Sequence, residues 1–189
     1  MKTLVIAIKI FLLLTILTGV IYPLLVTGIA KTVFPAKANG SLLIKDNRII
    51  GSELIGQQFD SAIYFTGRPS QTNYSTFPSG GSNLGPSNEK LRELVDERRL
   101  QFIRFNQLNS LTEVPAEMLF ASASGLDPHI SLQSAILQVE RVAKAREMNS
   151  AQKQQLTNLV NNICEKPHFG FLGEERVNVL LLNSELDKL

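Results

Sequence analysis

A mixed α/β (α+β) domain behind one transmembrane helix is the fold that three observations predict. Ile10 to Ala30, "IFLLLTILTGVIYPLLVTGIA", runs 21 residues without a charge. Beyond it, apolar residues recur at helical spacing in several separate stretches. Around those stretches, short apolar runs bounded by turn residues read as strands. The expected division is residues 1–34, a tail and transmembrane helix, and residues 35–189, a single extracytoplasmic domain with a small sheet and packed helices.

The apolar run would span ~31 Å as a helix, close to the ~30 Å hydrocarbon core of a bilayer. Lys9 and Lys31 bracket it and can snorkel to the two interfaces. A cleaved signal peptide is the competing reading, because Ala36 to Ala38 ("AKA") resembles a small-x-small cleavage site. Signal cores, however, run only about 7–15 residues. A buried soluble helix would show a polar face, and this stretch offers only Thr15, Thr18 and Thr27. A retained single-span anchor fits best. Lysines flank the span on both sides, so charge counting does not orient it. With only a short tail ahead of the span, the expected arrangement is N-terminus inside and domain outside. Gly19, Tyr22 and Pro23 stand out within it. Gly19 and Pro23 lie four residues apart on one face, where a second membrane helix can approach closely.

After the span, "SLLIKDNRIIG" (Ser41 to Gly51) pairs two apolar runs around Asp46-Asn47, a hairpin signal. Tyr64 to Asn88 is rich in Gly, Pro, Ser and Asn and reads as a long loop. Its aromatics Tyr64, Phe65, Tyr74 and Phe77 suggest that it is packed down. A helix should start at Ser87 or Asn88 and run to about Asn109. Another should start at Ser131, and a third at Ser150. "VNVLLL" (Val177 to Leu182) reads as a buried strand. A mixed sheet with helices packed on it would satisfy these signals.

Composition excludes some functions. Past residue 9 the chain carries seventeen basic and seventeen acidic residues, so it has no electrostatic footprint for nucleic acid. Two histidines and a lone cysteine, with no H-E-x-x-H or C-x-x-C, make a poor zinc site. Cys164 has no intrachain disulfide partner. No P-loop, G-x-G-x-x-G or EF-hand pattern occurs.

Two polar stretches remain. "ASASGLDPHIS" (Ala121 to Ser131) holds Ser124, Asp127 and His129 within six residues. As a hydrolase site it lacks the G-x-S-x-G elbow and has its members too close in sequence. As a corner it is well made: Gly125 permits a positive φ, Asp127 can form an Asx-turn, Pro128 holds Asp127 extended, and Ser131 caps the next helix. "SGGSN" (Ser79, Gly80, Gly81, Ser82, Asn83) could nest an anion, but a packed turn is the default. Arg68 in "GRPS" is expected in an internal ion pair.

Seven blocks then carry a resemblance. "TGVIYPLLVTGIAKTVFPAKANGSLL", "GSELIGQQF", "YFTGRPS", "SGGSNLGPSN", "SASGLDPHIS", "QVERVAKAR" and "VNVLLLNSELD" occur in that order over almost the whole chain. Together they resemble the C-subunit family of the Kdp potassium-transporting ATPase, with departures at Gln71 and Glu185, where small residues are expected. The resemblance implies a single-pass accessory subunit of the cell inner membrane, contacting lipid. Its implied partners are a channel-like potassium-binding subunit and a P-type ATPase subunit. They would handle potassium and ATP, leaving this chain no directly bound cofactor, no metal and no catalytic residue. The family is also described as a catalytic chaperone that raises the ATP affinity of the ATPase subunit. The positions expected to touch partners are Gly19, Tyr22, Pro23, Ser79, Gly80, Gly81, Ser82, Asn83, Ser124, Asp127 and His129.

Overall fold

The computed structural model describes residues 1–189, which form two compact units, Met1–Ser52 and Glu53–Leu189. In the first, one helix (α1) runs Lys2–Val33, and none of its residues is buried. Such a surface suits lipid rather than water. Midway, Leu17–Ile21 forms a π-turn. The cause lies just beyond it: Pro23 has no N–H, and its ring crowds the carbonyl of Gly19 four residues back. Thr18 Oγ1 donates to Leu14 O (2.7 Å), which keeps its hydroxyl satisfied within the helix. A short helix (α2, Pro35–Ala38) follows.

The expected hairpin forms, with Leu42–Lys45 (β1) antiparallel to Arg48–Ser52 (β2). Asp46 and Asn47 both take positive φ (51° and 61°), which gives a two-residue turn the twist the strands need.

The second unit is built from four further helices and one two-residue ladder. Helix α3 (Glu89–Phe105) starts where Asn88 accepts from Lys90 N, and it ends four residues before Asn109. Helix α4 (Leu132–Ala145) is capped by Ser131, as expected. Helix α5 (Ser150–Ile163) is capped by Asn149, not Ser150. Asn149 Oδ1 accepts from Gln152 N, and Gln152 Oε1 accepts from Asn149 N, which satisfies two end groups at once.

The run "VNVLLL" is not a strand throughout. Only Val177–Asn178 (β4) pairs, antiparallel to His129–Ile130 (β3). Asn178 Oδ1 then accepts from Leu180 N and Leu181 N and starts helix α6 (Val179–Leu186). A continuous apolar run looks the same as strand or as buried helix; the Asn cap decides it here. The single mixed sheet is thereby replaced by two separate two-stranded ladders.

The core gathers Phe65, Phe102, Ile103, Val139, Val142, Leu156, Val160, Val177, Leu182 and Leu186. Phe65 belongs to the long loop and is fully buried, whereas Phe77 of the same loop is 92% exposed, so the aromatics are not all packed down. A buried loop needs hydrogen-bond partners for its backbone, and here side chains supply them. Asn183 Oδ1 accepts from Phe65 N (2.8 Å) and its Nδ2 donates to Phe65 O (2.9 Å). Gln138 makes the same two-way pairing with Thr66. Arg141 donates to Ala62 O and Tyr64 O, and Arg146 donates to Ile63 O. Side chains of α4 and α6 thus replace a neighbouring strand.

Candidate functional site

The corner at Ala121–Ser131 is fixed from several sides. Gly125 has φ 71°, a region costly for any residue with a Cβ. Its carbonyl accepts from Ser70 Oγ (2.7 Å). Asp127 Oδ1 accepts from His129 N (3.0 Å), the expected Asx-turn, and Asp127 Oδ2 accepts from Arg68 Nη1 (2.8 Å), the expected internal ion pair. Pro128 O accepts from Val179 N (2.9 Å) and ties the corner to α6. At the far end Ser131 Oγ and Ser134 Oγ both donate to Glu117, whose carboxylate sits at the start of α4, where a helix favours negative charge.

The two polar stretches, separate in sequence, meet. A Cβ on Gly81 would stand 3.3 Å from Ala123 O, and a Cβ on Gly125 would stand 3.0 Å from Gly80 O. Ser122 N donates to Pro69 O (3.1 Å), which joins the GRPS loop to the corner. Ser79 and Asn83 stay exposed at the ends of the SGGSN turn, and Asn83 has a positive φ of 55°. Gly19, Tyr22 and Pro23 belong to the other unit and face outward from α1. Of the departures, Gln71 is exposed and Glu185 pairs with Lys188.

Ser124 and His129 are not joined. Ser124 Oγ accepts from Leu126 N (3.1 Å), and His129 Nδ1 stands 3.6 Å from Asp127 Oδ1. The serine closes a local turn and has no base against it.

Asp127 carries the site's electrostatics. Burial pushes its carboxyl up, but the His129 side chain and backbone N–H and the Arg68 guanidinium outweigh this and hold it at about 2. At 3.6 Å the imidazole is a close polar neighbour rather than a hydrogen-bond partner. Beneath it, Tyr74 donates to Arg68 O (2.7 Å). Burial, helped by the Asp127 and Asp60 carboxylates and opposed by Arg68, raises its phenol to about 12.

A depressed carboxyl stabilises the fold above its unfolded value and loses that contribution as pH falls through the folded one. Stability should therefore fall between about pH 4 and pH 2 with a component that Asp127→Asn removes. Asp127→Ala should cost about 1–3 kcal/mol at neutral pH, because Arg68 and His129 N both lose an acceptor. Urea unfolding of both variants at neutral and acid pH checks this.

Two features of the long loop and its surroundings were not legible in the sequence. Gln138, Arg141, Arg146 and Asn183 hold the loop; their only signal was polar residues set among the apolar positions of α4 and α6 or, for Arg146, just after α4. A groove of about 800 Å³ between the loop and α3, lined by Phe59, Tyr74, Arg98, Phe102, Arg104 and Phe105, was also unforeseen. None of the expected interface residues lines it.

The arrangement is two interlocked loops around one half-buried ion pair, with exposed rims. Similarity to known proteins then decides the family. The family model described as KdpC, K+-transporting ATPase, c chain, matches residues 4–188. The chain belongs to the KdpC family. A potassium-transporting ATPase KdpC subunit of Methylibium petroleiphilum is 50% identical over 191 residues, covering 99% of this chain and 98% of the relative. The KdpC subunit of Leptospira interrogans is 44% identical, with 96% and 92% covered. That of Dechloromonas aromatica is 47% identical, with 97% and 95% covered. The KdpC match takes in the apolar helix, the hairpin and both polar loops, so neither compact unit is an addition foreign to the family.

Proposed function

We propose that this chain is a non-catalytic accessory subunit of an ATP-driven potassium import pump, anchored by α1 with its Glu53–Leu189 unit outside the cytoplasm. The observation that carries the reading is the KdpC match over 4–188, which joins a membrane helix to a folded unit in one chain. Its partners are a channel-like potassium-binding subunit and a P-type ATPase subunit of the cell inner membrane. They handle potassium and ATP, and this chain stabilises their assembly. Any effect on ATP affinity is transmitted through α1: it requires contacts that differ between two pump states, not a nucleotide site here.

The helix suits this role. Gly19 has nothing within 4 Å of where a Cβ would lie, so a partner backbone can approach closely. Gly19→Leu should weaken helix association by about 1–2 kcal/mol, roughly five- to thirty-fold. Recovery of partner subunits with the tagged chain, wild type against variant, reads this.

The test of the reading is a mild-detergent pull-down of the tagged full-length chain from native membranes, with partners identified by mass spectrometry. A P-type ATPase and a channel-like subunit in the eluate are expected. A chain recovered alone after gentle solubilisation would contradict the role. Labelling of Ser124 by a serine-reactive probe would revive a hydrolase.

A further inference from the structure

"EKPHFGFLGEER" (Glu165 to Arg176) folds into a small exposed hairpin whose inner side lines a cleft with Asp127 and His129, while its tip stands clear of the core. Two backbone rungs hold it. Glu165 N donates to Arg176 O (2.8 Å) and Arg176 N to Glu165 O (3.1 Å); His168 N donates to Leu172 O and Leu172 N to His168 O (2.9 Å each). The side chains of Arg176 and Glu165 pair across the first rung at 2.8 Å. The second rung closes a three-residue loop, Phe169-Gly170-Phe171. Gly170 has φ 81°, and Phe169 is itself left-handed at φ 55°, an uncommon conformation for a bulky residue. The outcome is a tip whose apolar side chains face water: Phe169 is 88% exposed, Phe171 75% and Leu172 52%. Single exposed apolar residues are ordinary; three within four positions on a doubly closed loop form a displayed cluster.

We propose that this tip docks into an apolar pocket, rimmed by basic side chains, on another subunit of the transport complex. This rests on the accessory-subunit reading. The charges choose the occupant. With Arg176 paired to Glu165, the neighbouring Glu174 and Glu175 have no ion-pair partner, and within the hairpin three glutamates stand against Lys166 and Arg176. Two exposed, unpaired glutamates following the aromatic tip in sequence are complementary to an apolar pocket with basic side chains beside it. It is the wrong sign for an anionic bilayer surface, which attracts Lys and Arg. Interfacial anchors favour Trp and Tyr, and the tip has neither. The rungs also fix the tip before it binds, so little chain freedom is lost on docking, and aromatic anchors entering a pocket typically dominate an interface.

The test places photoreactive benzoylphenylalanine at Phe169 of the tagged full-length chain in native membranes, with a second probe at exposed Leu111 as the control for random collision. The expected result is a cross-link from Phe169, not from Leu111, to an apolar segment of a pump subunit with Lys or Arg beside it. Phe169→Ser with Phe171→Ser should lower retention of that subunit at least tenfold at an unchanged melting temperature. Glu174→Lys with Glu175→Lys should lower it too, and the difference from wild type should shrink at high salt. Adducts to phospholipid alone would overturn the proposal, as would full retention of the pump subunits by the tip variants; either leaves the accessory role standing. If the unsubstituted chain retains no pump subunit, the accessory role fails and the docking proposal falls with it.

Discussion

Replacing Arg141 by alanine is expected to cost about 3–5 kcal/mol, enough to unfold most of the Glu53–Leu189 unit. The guanidinium is buried and donates to four acceptors: Ala62 O (2.6 Å), Tyr64 O (2.9 Å), Asn106 Oδ1 (2.8 Å) and Gln138 Oε1 (2.9 Å). None is a carboxylate, so its desolvation is met by dipoles alone, and burial lowers its pKa to about 10. It also lies 4.4 Å over the Phe105 ring. Truncation would strand two backbone carbonyls of the 62–66 segment away from water and free that segment from α4. Arg141→Lys should recover only part of the loss, since one ammonium cannot reproduce the planar fork. Circular dichroism of the full chain through a urea titration checks both variants; a midpoint for Arg141→Ala equal to wild type would refute the clamp.

Gly125→Ala should have the second largest effect, about 2–4 kcal/mol. The new methyl would meet Thr72 Oγ1 at 2.8 Å, Gly80 O at 3.0 Å and Ser70 Oγ at 3.3 Å, on a backbone already at φ 71°. The left-handed conformation alone costs an L-residue roughly 1–2 kcal/mol, and the clash with a backbone oxygen has no flexible end to yield. Two outcomes separate scaffold from surface. A lower melting point with partners still retained at low temperature makes the loop junction structural. Loss of partners at an unchanged melting point makes it the contact itself.

Local signals were legible where they are self-contained. Asp46-Asn47 supports two positive φ values, and the hairpin formed. Ser131 precedes an apolar helical stripe, and it caps α4. Asp127 two residues before His129, with Pro128 between, closed the Asx-turn, and Arg68 took the ion pair assigned to it. What failed depends on partners far along the chain. Whether "VNVLLL" is strand or helix turns on Asn178, whose side chain caps a helix while its Nδ2 donates to Glu53 O. The burial of Phe65 turns on Asn183, 118 residues away, and on Gln138. The meeting of SGGSN with the SGLDPH corner follows from the absence of side chains at Gly81 and Gly125, and no periodicity encodes that. The hairpin carrying Phe169 and Phe171 was missed because its rungs are two isolated residue pairs, too short to leave an alternating pattern.

The most direct measurement of the account is potassium-stimulated ATP hydrolysis by the pump purified from membranes with and without this chain. An accessory subunit required for assembly predicts that the pump lacking it loses subunits and potassium-stimulated activity, and that co-expression of the intact chain restores both. A pump that purifies complete and hydrolyses ATP at the same potassium-dependent rate without this chain would contradict it.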